Sequence, residues 1–76
     1  MKLLPNPFEK LAVLLFSNPL REEYDLHIYD LQGKLVRSCR GNRSAQFTIE
    51  KGALSPGVYL YRLEGEFAFA GKFLVK

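Results

Sequence analysis

The side chains of this sequence that could carry out catalysis are one histidine, one cysteine and a few carboxylates. Nucleophilic catalysis needs a base within hydrogen-bonding reach of the nucleophile. His27 and Cys39 lie on segments that could pair across a turn at Gly33, so the sequence allows a Cys–His dyad, although no third group that would orient it is evident. His27 also falls on the polar face of its predicted strand, where a histidine is most often only a solvated side chain.

The carboxylates follow no catalytic or metal-binding pattern. Glu22, Glu23 and Asp25 are close together at the start of a strand, and Glu64 and Glu66 flank a glycine. A calcium site needs several oxygen ligands from one loop, and a phosphate loop needs a glycine-rich run; the sequence has neither. Its single cysteine excludes an internal disulfide and a cysteine-based metal site. We therefore predict a binding or addressing module with no catalytic residues, metal or cofactor.

The charge of the chain is mildly basic, with 11 Lys and Arg against 8 Asp and Glu and a net charge of +3. Lys34, Arg37, Arg40 and Arg43 are close together, which is where a phosphate contact would be sought. The aromatic residues that would stack on bases alternate instead with the period of a buried face. We therefore predict that the chain does not bind nucleic acid.

Strands are the only regular elements that the pattern predicts. Period-two alternation of apolar and polar residues marks 24–29 and 45–49 as strands with one buried face, and 35–40 as the partner of the first. Leu11–Phe16 is apolar on both faces, which is typical of a central or covered strand. This run is far shorter than the about 20 residues that cross a membrane, and no secretory signal is present. We expect the chain either to stay inside the cell or to be one piece of a longer precursor.

The last twenty residues predict a hairpin. Pro56-Gly57 forms a turn, 58–63 is an extended run, and Gly65 returns the chain into a final strand. That strand is expected to bury its apolar residues and to turn its two lysines outward. The residues predicted to face inward are Phe67, Phe69, Phe73 and Val75, and those predicted to face outward are Lys72 and Lys76.

Turn residues predict how the other strands are joined. Asp30 can accept hydrogen bonds from its own downstream backbone, and Gly33 can adopt the left-handed conformation. Gly41-Asn42 is predicted as the next turn, and Leu54 is expected to pack under a corner. Tyr59, just past the Pro56-Gly57 turn, is predicted to form a tyrosine corner by bonding back to the upstream backbone.

Together these segments predict a small all-β domain. Roughly ten-residue spacing gives six clear strands, or seven if the proline-rich segment Pro5–Phe8 adds a short edge. This spacing favours an antiparallel, immunoglobulin-like β-sandwich.

Four stretches, in order, resemble the C-terminal sorting domains of the type IX secretion system, the type A signals carried by secreted proteins of Bacteroidetes. They are Pro5-Asn6-Pro7-Phe8, Ile28-Tyr29-Asp30-Leu31-Gln32-Gly33-Lys34-Leu35-Val36, Leu54-Ser55-Pro56-Gly57-Val58-Tyr59 and Gly71-Lys72-Phe73-Leu74-Val75-Lys76. The resemblance covers residues 4–76. It implies that residues 1–76 form a single sorting domain, in which residues 1–3 are a linker or were added at the start of the chain.

The resemblance implies a role in protein export. Family members are small, non-catalytic β-sandwiches at the C-terminus of large exported proteins. The outer-membrane secretion machinery recognises them after the precursor has entered the periplasm, and a surface sortase then removes them. The expected location is therefore the periplasm in transit to the cell surface, the expected partners are proteins, and self-association stays open.

The resemblance also assigns roles to residues. It implies that the closing residues Lys72, Phe73, Leu74, Val75 and Lys76 form the export signal. Phe73 and Val75 would anchor the strand while Lys72 and Lys76 present a charged ridge, although either lysine could equally be an ordinary surface residue. Gly71 departs from the polar or basic residue common there, and Cys39 has no place in the family pattern. The remaining matched positions are better explained as structural; they are Pro5, Asn6, Pro7, Asp30, Gly33, Lys34, Pro56, Gly57 and Tyr59.

Two other functions stay open at this point. One is a free-standing adhesive or carbohydrate-binding sandwich, with exposed Tyr29 and Tyr61 as stacking platforms. The other is a structural spacer or dimerisation module that would use the doubly apolar segment Leu11–Phe16.

Overall fold

The computed structural model describes all residues 1–76 and contains seven strands and no helix. The strands are β1 (Lys2–Leu4), β2 (Leu11–Leu15), β3 (Tyr24–Tyr29), β4 (Leu35–Asn42), β5 (Gln46–Glu50), β6 (Gly57–Glu64) and β7 (Ala68–Val75). They form a three-stranded sheet in the order β1-β2-β5 and a four-stranded sheet in the order β4-β3-β6-β7. All strand pairs are antiparallel. The predicted small immunoglobulin-like sandwich is confirmed.

The core lies between the two sheets and is entirely hydrophobic. All 15 buried residues are apolar or aromatic, and no polar or charged residue is buried. Period-two alternation supplies this core, since β3 buries Tyr24, Leu26 and Ile28 while the residues between them are only half-buried. The predicted one-sided character of β3 is therefore confirmed.

Two predicted corners are confirmed in atomic detail. The Asp30 Oδ1 atom accepts hydrogen bonds from the backbone N–H groups of Gln32 and Lys34 at 2.9 and 3.0 Å, and Gly33 has a φ of 83°. The Tyr59 hydroxyl donates to the Ser55 carbonyl oxygen at 2.7 Å, which is the tyrosine corner. Leu54 is buried beneath this corner, as expected.

The predicted turn at Gly41-Asn42 is wrong, because both residues belong to β4. The register between β3 and β4 shifts between Tyr24 and Leu26, and Gly41, at φ 72°, lies opposite this shift. The Gly41 N–H donates to Asp25 Oδ1 at 2.9 Å. The glycine therefore permits a β-bulge rather than a chain reversal.

The apolar segment 11–16 is central in its sheet, as predicted, but it is not covered on both faces. Ala12 and Leu14 are fully buried, whereas Leu11 is 47% and Leu15 39% exposed. A two-layer sandwich covers only one face of each sheet, so the second apolar face of β2 meets solvent.

The start of the chain and the start of β7 also differ from expectation. Lys2 and Leu3, expected in a linker, pair with β2 as part of β1, so the seventh strand precedes the prolines. Phe67 and Phe69, expected in the core, are 62% and 41% exposed. β7 is an edge strand, and the Phe8 ring, which lies 5.6 Å from the ring of Phe73, covers only its C-terminal half.

Candidate functional site

The candidate site is the end of β7, where residues 72–76 alternate between core and solvent. Phe73 and Val75 are each only 2% exposed, and the Phe73 ring stacks on the Tyr59 ring at 5.7 Å. Lys72, Leu74 and Lys76 project from the opposite, outer face because neighbouring strand residues point to opposite sides. The structure thus places two of the five closing residues as anchors and three as displayed side chains.

The proline segment, residues 5–8, runs beside the outer edge of this end of β7 and is hydrogen-bonded to it. We call these contacts the clasp. The Leu74 N–H donates to Asn6 Oδ1 at 3.0 Å, and the Leu74 carbonyl accepts from the Phe8 N–H at 3.1 Å. The Lys76 N–H donates to the Phe8 carbonyl at 2.9 Å. Prolines 5 and 7 cannot donate, so Asn6 and Phe8 supply the polar groups of the clasp. The last residues are consequently held between β6 and the proline segment.

The two displayed lysines differ in their electrostatic surroundings. The Lys76 Nζ lies 3.8 Å from Glu9 Oε1, and the Lys76 carbonyl accepts a hydrogen bond from Lys51 Nζ at 2.8 Å. The Lys72 ammonium has no carboxylate partner and makes no hydrogen bond. The two lysines of the predicted charged ridge therefore differ, because Lys76 is paired with Glu9 and Lys72 is unpaired.

Lys72 stands within a partly exposed apolar face. Its register partner on β6 is Leu60, and Leu74 is paired with Val58. Val58, Leu60 and Leu74 are 38–40% exposed, and Tyr29, paired with Leu60, extends the row onto β3. We call these five residues the outer-face patch. It combines one unpaired cation with partly exposed apolar side chains on a single face of the sheet.

Gly71 makes room for a tyrosine across the hairpin, a role that sequence reasoning missed. It pairs with Tyr61, and a Cβ added at Gly71 would lie 2.5 Å from the Tyr61 hydroxyl oxygen. Tyr61 is only 8% exposed, and its burial raises the pKa of its hydroxyl above 10.0. The expectation that Tyr61 is an exposed stacking platform is therefore wrong. Positions 61 and 71 are ten residues apart on either side of a short hairpin turn, and this spacing could have predicted that they face each other.

The Cys–His dyad allowed by the sequence does not form. His27 Nδ1 lies 3.1 Å from Ser38 Oγ, and His27 Nε2 lies 3.9 Å from Glu64 Oε1. Cys39 is paired instead with Leu26 and packs against the core. The register of β3 and β4 thus puts the imidazole and the thiol on opposite faces of the sheet.

The basic cluster is used in part to join the two sheets. Arg37 donates to the carbonyl of Glu50 and, at 3.2 Å, to that of Lys51, and Arg43 donates to the carbonyl of Arg21 at 3.2 Å. No three His, Cys, Asp or Glu side chains come close enough together to hold a metal ion. The structure contains no helix that could cross a membrane.

Comparison with known families gives one match. A family model described as "Secretion system C-terminal sorting domain" matches residues 2–76. A search of curated proteins found no match. The matched range includes all seven strands, the proline segment and the closing residues of β7.

Proposed function

The chain belongs to the family of type IX secretion C-terminal sorting domains, and from this premise we propose that the secretion machinery reads the outer face of its last strand. A domain of this family is a sorting signal, so the protein that carries it is exported through this secretion system and interacts with its machinery. Our proposal adds the residues: Lys72, Leu74 and Lys76 are read, while Phe73 and Val75 hold them in place.

The observation that supports this proposal is that the backbone of the displayed residues is fixed on both sides of the strand over residues 73–76. The backbone of Leu74 is hydrogen-bonded to the proline segment, and the neighbouring residues Phe73 and Val75 are packed in the core. A surface that is ordered before binding loses little conformational entropy when a partner docks. An unpaired ammonium at Lys72 can then gain a carboxylate partner without first breaking an ion pair in the free domain.

We further propose the order of events around this recognition. The precursor reaches the periplasm, the outer-membrane machinery binds the folded domain, and a surface sortase afterwards cuts the domain from its cargo. We place the cut bond upstream of Lys2, because Lys2–Leu4 are paired with β2 as β1, and Asn6 and Phe8 are hydrogen-bonded to β7, so this segment is not free to enter a protease cleft. The domain itself acts as a non-catalytic signal.

The test is an export assay with substitutions that leave the core intact. Residues 1–76 are fused behind a reporter that is exported to the periplasm of a cell with type IX secretion. We expect the intact fusion to reach the surface and the double variant Lys72→Gln/Lys76→Gln to stay in the periplasm. The matched control is Lys2→Gln/Lys10→Gln, which removes the same charge from two exposed lysines elsewhere and should be exported normally.

Folding is checked separately, so that loss of export can be assigned to recognition. The purified double variant should show the circular dichroism spectrum and melting temperature of the unchanged domain, since both side chains are on the surface. Normal surface delivery of the folded double variant would show that these lysines are not read. Periplasmic retention of the intact fusion would contradict the addressing function as a whole.

A further inference from the structure

The outer edge of β7 is divided into a covered half and an open half. In an antiparallel ladder, alternate residues direct both backbone polar groups to the same neighbour. The Leu74 groups point away from β6, toward Asn6 and Phe8. By alternation, the groups of Ala68, Ala70 and Lys72 point the same way, and they make no hydrogen bond to any other part of the protein. Residues 68–72 therefore present a row of unpaired donors and acceptors.

This open edge carries only one of the protections that sheet edges normally have, the lysine at position 72. Proteins guard such edges with lysine and other charged side chains, proline, bulges or short strands, because an open edge pairs readily with another chain. The register between β6 and β7 is unbroken from Glu64 and Ala68 to Gly57 and Val75, so the edge has no bulge. Its residues are small apart from Phe69 and Lys72, and they include no proline.

The other three edges of the sandwich are guarded. β1 has only three residues, and β4 is interrupted by two register shifts. On β5 the carbonyl of Gln46 accepts from Asn42 Nδ2 at 2.7 Å, and the carbonyl of Glu50 accepts from the Arg37 guanidinium. The contrast leaves 68–72 as the one edge that is open to a new strand.

We propose that residues 68–72 of β7 bind an extended segment of the secretion machinery by β-strand addition, and that this segment carries a carboxylate side chain opposite Lys72. The proposal rests on the proposed function and names the binding mode of the same closing strand. Main-chain hydrogen bonds to Ala68, Ala70 and Lys72 would supply affinity, and the side chains beside them would supply specificity. The carboxylate follows from charge complementarity, because the Lys72 ammonium has no partner within the domain.

A second copy of the chain fits this edge less well. Two copies that paired antiparallel along the whole edge would be centred on Ala70, with Ala68 of one copy opposite Lys72 of the other. Glu66 lies outside the strand, in the turn closed by the hydrogen bond from the Gly65 N–H to the Phe67 carbonyl at 3.0 Å. Self-pairing along the full edge would therefore place an alanine directly opposite each lysine, whereas a partner strand with an acidic residue at that position would pair with it.

The experiment removes one edge donor while sparing the β6 ladder. In Ala70→Pro the missing N–H is one that points away from β6, so the domain is expected to fold. We expect export of the reporter fusion to fall about tenfold or more, which corresponds to the loss of a hydrogen bond and a steric block at the pairing edge. The matched control is Leu31→Pro, at an exposed turn position whose N–H makes no hydrogen bond, and it should be exported like the unchanged fusion.

The charge requirement is tested by Lys72→Glu, which should lower export more than Lys72→Gln because the new carboxylate repels the partner's carboxylate.

The proline variants decide the edge proposal. If Ala70→Pro folds and is exported normally, the edge proposal is overturned while the addressing function stays in place. Retention of the unchanged fusion would instead contradict the addressing function. If Ala70→Pro does not fold, Ala68→Pro, at the first residue of the strand, takes its place with the same expected outcomes. Sedimentation showing a dimer that the proline substitution dissociates would make a second copy the occupant and overturn the assignment to the machinery.

Discussion

Two tyrosines on the same face of β6 show how residues of one type do different work. Tyr59 and Tyr61 are each 8% exposed. The Tyr59 hydroxyl is fixed on the Ser55 carbonyl, whereas the Tyr61 hydroxyl makes no hydrogen bond within the protein. No buried polar atom is left without a partner, so the Tyr61 oxygen reaches solvent at the rim of the core. Tyr59 therefore contributes to stability through both its hydroxyl group and its ring, whereas Tyr61 contributes through its ring alone.

This difference predicts unequal effects when each hydroxyl is removed. Tyr59→Phe should lower the free energy of unfolding by about 1 kcal/mol, because it removes the 2.7 Å bond to the Ser55 carbonyl at a part-buried position. Tyr61→Phe is the matched control and should change stability by much less at neutral pH. Urea denaturation of both variants measures the difference, and equal losses would show that the corner hydrogen bond contributes nothing specific.

We predict that Gly71 is needed because the Tyr61 side chain leaves no room for a Cβ at this position, and not because its backbone conformation favours glycine. Gly71→Ala would place a Cβ 2.5–2.7 Å from three atoms of the Tyr61 side chain, so we expect a loss of about 1–3 kcal/mol. In a Tyr61→Val background the ring is gone, and the same Gly71→Ala change should cost less. A double-mutant cycle in urea measures this coupling. Equal costs in both backgrounds would exclude the steric explanation.

The partial burial of the Tyr61 side chain also predicts a loss of stability at alkaline pH. Burial raises the pKa of this group above 10.0 in the folded state, so folding favours its neutral form. Its contribution to stability is therefore complete below the unfolded pKa and is lost as the pH rises through the folded pKa. We expect the melting temperature to fall above pH 10, and to fall less in Tyr61→Phe. Parallel decreases in both proteins would assign the effect to other groups.

At the scale of elements, the proline segment and β7 form one unit although they lie at opposite ends of the chain. Asn6 and Leu74 are 68 positions apart, yet the Asn6 side chain accepts the Leu74 N–H. Phe8 adds two backbone hydrogen bonds and a ring packed on Phe73. The clasp covers half of an edge strand that would otherwise be open, and it orders the closing residues.

The clasp predicts a local effect of substituting Asn6. Asn6→Ala removes the acceptor of the Leu74 N–H, so we expect a loss of about 0.5–1.5 kcal/mol and faster hydrogen exchange at the Leu74 amide. Asn6→Asp keeps an acceptor oxygen at the same position and should preserve protection there. Unchanged exchange at Leu74 in Asn6→Ala would mean that water replaces the side chain without cost.

Elements whose form depends on neighbouring residues were predictable from the sequence, and those that depend on distant partners were not. The Asp30 turn and the Tyr59 corner follow from residues within four positions of each other. The bulge at Gly41 and the separation of His27 from Cys39 depend on the register of β4 against β3. The exposure of Phe69 depends on the position of the other sheet, which no local pattern encodes.

The same division applies to the candidate site. The alternation of Phe73 and Val75 with outward lysines follows from the period of a strand, and the structure shows this arrangement. The Asn6 clasp, the ion pair of Lys76 with Glu9 and the isolation of Lys72 join the two ends of the chain. No spacing rule within one segment predicts such contacts. The unequal surroundings of the two lysines therefore became evident only in the folded chain.

At the scale of the whole molecule, the closing residues belong to the core as well as to the displayed surface. The domain has 76 residues, and its core of 15 side chains includes Phe8, Phe73 and Val75. At the usual stability per residue, folding a chain of 76 residues is favourable by only about 4–11 kcal/mol. Loss of two core side chains from one strand is therefore a large fraction of the total.

Truncation is accordingly predicted to unfold the domain rather than to remove a detachable tag. Deleting residues 72–76 removes Phe73, whose loss from a core costs about 3–5 kcal/mol, and Val75, and it also removes every bond of the clasp. We expect the shortened chain to lack the β-sheet circular dichroism signal and a cooperative urea transition. The surface variant Lys72→Gln/Lys76→Gln should retain both, because it changes only solvated atoms.

If the shortened chain folds cooperatively, β7 contributes less to the core than its burial indicates, and truncation becomes a valid test of recognition. If the shortened chain unfolds, its loss of export is explained by the missing core strand. Only the surface substitutions can then distinguish a strand that the machinery recognises from one that merely completes the sandwich.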